Sequence, residues 1–204
     1  MRIGVFGGSF DPVHLGHLIV AEQCREQAKL DRVLFVPAAR PPHKPGRVLA
    51  PFHHRADMLL LAISGNPAFA VEELEKDRPG PSYTVDTLAE LKRREPDAEL
   101  HLIIGSDTLN DLHQWRDPKG IISLAGLLIV GRPDALAVSE ARFRQSLGLG
   151  MTEPLHMETI RCPLLEIASS DIRLRLGEGR SVRYLISRAV EAYLEDKGLY
   201  HARA

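Results

Sequence analysis

Residues 2–17 constrain the fold more than any other stretch. Arg2-Ile3-Gly4-Val5-Phe6 is a short, β-branched apolar run, Gly7-Gly8-Ser9-Phe10 interrupts it, and Asp11-Pro12 offers a helix start. Asp is a good N-cap and Pro fits the first helical position. The expectation is strand, glycine turn, helix, with the helix opening at Asp11-Pro12. His14 and His17 follow three residues apart, which puts both imidazoles on one helix face. That face lies by a helix N-terminus, whose unpaired N–H groups and positive dipole end attract anions. Gly16 stands between them, inside the expected helix, at a cost of about 0.5–1 kcal/mol relative to Ala. Such a cost implies something flat against the backbone. Gly7 and Gly8 allow the same close approach at the strand end. Two readings fit: a capped helix with two surface histidines, or a phosphate site. The histidine pair beside a glycine turn favours the phosphate site.

Arg32-Val33-Leu34-Phe35-Val36-Pro37 reads as a second, buried strand. Strand, helix, strand at this spacing is a βαβ unit, which implies a parallel sheet with right-handed crossovers. The dinucleotide fingerprint G-x-G-x-x-G is missing, and the second strand ends in Pro37-Ala38 without an acid for a ribose. There is no Walker A pattern either. The fold expected is α/β, a Rossmann-like doubly wound parallel sheet flanked by helices, in one domain spanning residues 1–204. A net charge of −1 argues against broad nucleic-acid or membrane binding. No apolar run approaches the ~20 residues of a membrane span. The chain enters a strand at once, so no signal peptide is expected, and Cys24 and Cys162 read as reduced thiols in a cytoplasmic protein.

Further along, Arg40-Pro41-Pro42-His43-Lys44-Pro45-Gly46-Arg47 is a basic, proline-rich loop at the carboxyl end of the second strand. Ligands of open α/β sheets bind at that end, so Lys44 is a candidate phosphate contact as well as an ordinary solvated residue. Pro51 to Ser64 has helical periodicity through Phe52, Ala56, Leu59 and Ile63, with His53, His54 and Arg55 expected on a solvated face. Phe69-Ala70-Val71 is a short strand, and Pro81-Ser82-Tyr83-Thr84 leads into a helix that either hydroxyl could cap. Glu99 to Ile104 and Leu127 to Val130 are strands. Trp115, the single Trp, lies in a polar stretch after the first of these, where an aromatic face can stack a ring. Residues 134–154 are mixed and Gly-containing, without a clear pattern and expected to vary in conformation. Leu155 to Ile160 and Leu164 to Ile167 look like short strands. Ala168-Ser169-Ser170-Asp171-Ile172-Arg173 is a hydroxyl-rich turn opening a helix, able to offer N–H groups, hydroxyls and a guanidinium to phosphates, or simply to cap it.

Taken together, these segments resemble one family along nearly the whole chain. Gly7 to His17 is similar to the G-G-S-F-D-P-x-H-x-G-H signature of the bacterial nicotinate-mononucleotide adenylyltransferases, members of the H-x-G-H nucleotidyltransferase superfamily. The resemblance implies that His14 and His17 bind the ATP triphosphate and stabilise the transition state, with Lys44 and Arg173 as further catalytic cations. It implies ATP contacts at Gly7, Gly8, Ser9, Phe10, Gly16, Gly105, Asp107, Ser169 and Ser170. Ser82 to Leu88 resembles the S-Y-T-x-D-T-L segment, so Tyr83 and Thr84 are expected to receive nicotinate mononucleotide and Trp115 to stack on its ring. Gly105-Ser106-Asp107 is similar to a G-x-D element whose Asp sits by the nucleotide sugars. Four departures are visible: Ala168 and Ser170 stand where the family has Ser and Thr, Asp134 follows Arg132-Pro133 in place of Gly, and Ser187 stands where Pro is common. The implied cofactor is Mg²⁺ carried with ATP, with no protein metal site. The implied partners are the two substrates, without nucleic acid or membrane, and a homo-oligomer is left open. Alternatives are transfer to nicotinamide mononucleotide or phosphopantetheine, or a nucleotide sensor without chemistry.

Overall fold

Each long strand of this chain is apolar on both faces, as a sheet covered by helices on both sides requires. In β2 (Arg32–Pro37), Val33 and Phe35 enter one core while Leu34 and Val36 enter the other. The same alternation puts Leu100, Leu102 and Ile104 of β4 (Glu99–Gly105) in the second core and Ile103 in the first. With β1 (Arg2–Gly8), β3 (Phe69–Val71), β5 (Ala125–Gly131) and β6 (Met157–Arg161), they form a six-stranded sheet of order β3-β2-β1-β4-β5-β6. Every pairing is parallel. The computed structural model describes residues 1–41, 48–131, 140–150, 152–163 and 165–200.

Helices cover both faces. The first core takes Ala21 and Cys24 of α1 (Leu15–Gln27), Met58 and Leu59 of α2 (Phe52–Ile63), Ile172 and Leu176 of α7 (Ser169–Gly177), and Val190 and Leu194 of α8 (Arg188–Lys197). The second takes Leu88 and Leu91 of α3 (Thr84–Arg94), Leu109 of α4 (Ser106–Asp111), Ile121 of α5 (Pro118–Leu124), and Phe143 and Leu147 of α6 (Glu140–Leu147). The sheet is thus doubly wound, and its strand order reverses between β1 and β4. A crevice at the carboxyl ends of those two strands is where such sheets bind ligands.

Three expectations are corrected. The first helix opens at Leu15 with His14 as N-cap, not at Asp11-Pro12. The Asp11–Pro12 peptide is cis, and the Asp11 carboxylate is taken by distant partners described below. Residues 165–167 form no strand: β6 already closes that edge of the sheet, and the chain must leave it to reach α7. Residues 140–147, expected to vary, are the regular helix α6. There Arg144 donates from Nη1 to the carbonyls of Gly150 and Glu153, at 3.0 and 2.9 Å, and so fixes the following turn. Ser187 caps α8 by accepting from the Val190 N–H at 3.3 Å, a role the hydroxyl fills in place of a proline. No helix among the described residues is long and apolar enough to cross a membrane.

Candidate active site

The loop between β1 and α1 is held from four directions. Asp11 is almost wholly buried, and its Oδ1 accepts from the Ala50 N–H at 3.1 Å and from the Tyr200 hydroxyl at 2.6 Å. The Arg173 Nη1 donates to the Asp11 carbonyl at 2.5 Å and lies 3.5 Å from Asp11 Oδ2. The Ser169 hydroxyl donates to the Pro12 carbonyl at 2.9 Å. Arg55 donates from Nη1 to the Ser9 carbonyl at 2.8 Å and from Nε to the Ala50 carbonyl at 2.9 Å. Arg55 is 2% exposed, so its expected place on a solvated face is overturned. A buried guanidinium must be hydrogen-bonded, and these carbonyls do that. Arg55 and Tyr200 are the residues the motif reading missed. Arg55 lies one helical turn before Leu59, on the buried stripe, and that periodicity was its available signal. Tyr200 to Asp11 is a hydrogen bond to a charged group, worth about 1.5–3 kcal/mol. Tyr200→Phe is expected to lower unfolding free energy by that amount in urea titrations.

The two histidines stack, with ring centroids 3.7 Å apart and planes inclined by 26°. His17 Nδ1 accepts from the His14 backbone N–H at 3.2 Å. An accepting Nδ1 carries no proton, so the neutral ring holds it on Nε2, which becomes a donor. Gly16 is explained by the same packing: a Cβ there would stand 3.0 Å from His14 Nδ1. The flat group against the backbone is therefore the His14 ring itself. In the same way a Cβ on Gly8 would meet the Phe10 ring at 3.0 Å.

His14 is 8% exposed, and burial pushes its pKa from 6.5 down to about 4. Desolvation, and not the helix end, is the cause. His14 is thus a neutral hydrogen-bonding group at pH 7. The unfolded chain takes up this proton from about pH 6.5 downward, the folded one only near pH 4. Stability therefore falls as pH drops through that window, by about 3 kcal/mol in total at about 1.4 kcal/mol per pH unit. His14→Gln is expected to flatten that part of the stability profile relative to the unmutated chain, measured by denaturant unfolding between pH 7 and 4.

Two cavities meet at Gly105, which lines both. The larger, about 530 Å³, is bounded by His14, Gly16, His17, Asp107 and Cys162. The smaller, about 320 Å³, is bounded by Gly7, Gly8, Ser9, Tyr83, Thr84 and Trp115. The expected ATP contacts are therefore divided: Gly16, Gly105 and Asp107 line the larger cavity, while Gly7, Gly8 and Ser9 line the smaller. Phe10 is 1% exposed and packs edge-on to Phe6 and His17, so its side chain belongs to the core. Ser169 is spent on Pro12, Arg173 on Asp11, and Ser170 is exposed on α7; none of them lines either cavity. Lys44 and Arg132 lie outside the described residues.

The smaller cavity begins at α3. Its N-cap is Tyr83, not Ser82 or Thr84, and no side chain caps it. The Ser82 hydroxyl instead accepts from the Ala39 and Arg40 N–H groups at 3.1 and 3.0 Å, joining α3 to the end of β2. The first N–H groups of α3 are thus left without a side-chain acceptor. Across the mouth, the Arg116 guanidinium lies 4.6 Å from the centroid of the Tyr83 ring.

Residues 5–175 match the family model described as Cytidylyltransferase-like. A Thermus thermophilus protein named "Probable nicotinate-nucleotide adenylyltransferase" is 50% identical over 98% of this chain and 100% of its own length. One of the same name from Thermomicrobium roseum is 46% identical over 98% of this chain and 91% of its own. The solved Plasmodium falciparum nicotinic acid mononucleotide adenylyltransferase, complexed with NaAD, superposes with a TM-score of 0.78 at 20% identity, over 98% of this chain and 97% of that one. It shares the fold described here. The chain belongs to the Cytidylyltransferase-like family and, within it, to the nicotinate-nucleotide adenylyltransferases.

Proposed function

We propose that this protein transfers the adenylyl group of ATP to nicotinate mononucleotide, forming deamido-NAD and pyrophosphate. The observation that carries the reading is the pair of cavities joined at Gly105, one walled by stacked histidines and the other by Tyr83, Thr84 and Trp115. The triphosphate fits the first and the pyridine the second, so the two reacting phosphates meet between them. An oxygen of the mononucleotide 5′-phosphate attacks the α-phosphorus in line, the bond from α-phosphorus to the bridging oxygen breaks, and pyrophosphate leaves. Such a step needs positioning and charge stabilisation, and no protein nucleophile. His17 Nε2–H and the neutral His14 donate to phosphate oxygens as negative charge builds on the leaving group. Asp107 faces the ATP sugar from the same cavity.

Two imidazoles, one carboxylate and one thiol make no oxygen cage for a hard cation, and no group of three or more His, Cys, Asp or Glu able to hold a metal occurs among the described residues. The donor set fits Mg²⁺ that arrives on the triphosphate, where it spreads phosphate charge. We place the enzyme in the cytoplasm, with ATP and nicotinate mononucleotide as its partners.

Lys44 serves the ATP side in this reading, and Arg173, which lines neither cavity, serves it by holding the Asp11–Pro12 loop that carries His14. Arg173→Gln and Lys44→Gln are expected to raise KM for ATP more than KM for the mononucleotide in steady-state kinetics. A loss confined to the mononucleotide would place them on the other substrate. The reading itself is tested by pyrophosphate release from ATP with nicotinate mononucleotide, nicotinamide mononucleotide or phosphopantetheine as acceptor. Fastest release with nicotinate mononucleotide is expected; release with phosphopantetheine alone contradicts the assignment, and no release with any acceptor leaves a sensor.

A further inference from the structure

The smaller cavity holds a charge that the reaction above does not use. Glu75, in the turn between β3 and α3, lines it and is only 6% exposed. Its Oε1 accepts from the Thr87 hydroxyl at 2.6 Å, while its Oε2 is buried without a hydrogen-bond partner. The cations about it are otherwise engaged: Arg78 donates to Thr87 Oγ1 at 3.0 Å and to the Asp86 carbonyl at 3.3 Å, and Arg55, whose charge reaches both Asp11 and Glu75, donates to the Ser9 and Ala50 carbonyls. Arg116 sits at the rim, over Tyr83. A buried carboxylate with one unsatisfied oxygen is costly unless a positive charge comes to it. The pyridine mononucleotides bring one, because the ring nitrogen bonded to ribose is quaternised.

We infer that Glu75 is the counter-charge for a pyridinium ring and so restricts this cavity to oxidised, cationic pyridine nucleotides. The inference rests on the proposed function and names the ring chemistry its acceptor must have. The carboxylate acts through the low-dielectric wall and needs no direct contact, since Coulomb attraction there is screened far less than in water. Thr87 and Arg78 hold it in place. Trp115 also favours a cation over its face, so the Glu75 contribution is isolated only by a variant.

The probe is nicotinate mononucleotide against its 1,4-dihydropyridine form, which keeps the carboxylate and phosphate but has an uncharged ring. The unmutated enzyme is expected to prefer the pyridinium form by about tenfold or more in kcat/KM. Glu75→Gln, nearly isosteric and still able to accept from Thr87, is expected to bring that preference within about threefold without lowering Tm. Equal weakening of both forms in Glu75→Gln would make the residue merely structural and overturn the inference. So would equal use of the two forms by the unmutated enzyme, whatever the variant does. Should Glu75→Gln fail to fold, Glu75→Asp withdraws the same charge by one methylene, and an unchanged preference there is equally contrary. Absence of any transfer to nicotinate mononucleotide would instead strike the proposed function beneath it.

Discussion

Replacing either His14 or His17 by alanine is expected to lower kcat by about 10²-fold or more, the scale of losing one transition-state charge contact. The two rings share one cavity wall and stack on each other, so each also sets the other's position. His17→Ala further removes the acceptor for the His14 N–H, a capping interaction worth about 1 kcal/mol. That is too little to unfold a domain whose core lies elsewhere. Circular dichroism should therefore stay native while turnover collapses. Near-normal turnover in both variants would remove the histidines from the chemistry.

A second large effect is expected at the pyridine. Nicotinate carries a carboxylate, nicotinamide a neutral amide. The uncapped start of α3 offers N–H donors and a positive dipole end beside Tyr83 and Thr84. A carboxylate accepts from two such donors. The amide turns its own NH₂ toward one of them and leaves it unmet, at a cost of about 1–3 kcal/mol. The preference for nicotinate mononucleotide should reach roughly tenfold to a hundredfold in kcat/KM. Trp115 lines the same cavity and in the proposed reading would stack on either ring, so Trp115→Ala should weaken both mononucleotides in similar proportion. Equal kcat/KM for the two in the unmutated enzyme would move the substrate assignment.

What could be read in advance follows from the range of the forces involved. Strands β1, β2, β4 and β5 were legible because burial on both faces writes apolar runs into Ile3–Phe6, Val33–Val36, Leu102–Ile104 and Leu127–Val130. The histidine pair was legible because a spacing of three on a helix start is local. Asp11 was misread for the same reason. Its sequence neighbours suggest a cap, but its partners are Ala50 and Tyr200, residues 39 and 189 positions away, and local pattern carries no trace of them. Arg55 and Glu75 are polar residues buried by tertiary context, which composition reads as surface. Helix α6 was hidden because only Phe143 and Leu147 mark its apolar face, while Arg144 is buried beside them by bonding to carbonyls. The division of the site into two cavities at Gly105 is a property of the β1–β4 switch point and belongs to the sheet order alone.

The most direct test of the account follows the α-phosphorus. ATP labelled there is incubated with the protein, Mg²⁺ and nicotinate mononucleotide, and the products are separated. The label is expected to pass entirely into deamido-NAD, with one unlabelled pyrophosphate released for each dinucleotide formed. Label left in AMP or ADP with no labelled dinucleotide would contradict adenylyl transfer across the two cavities.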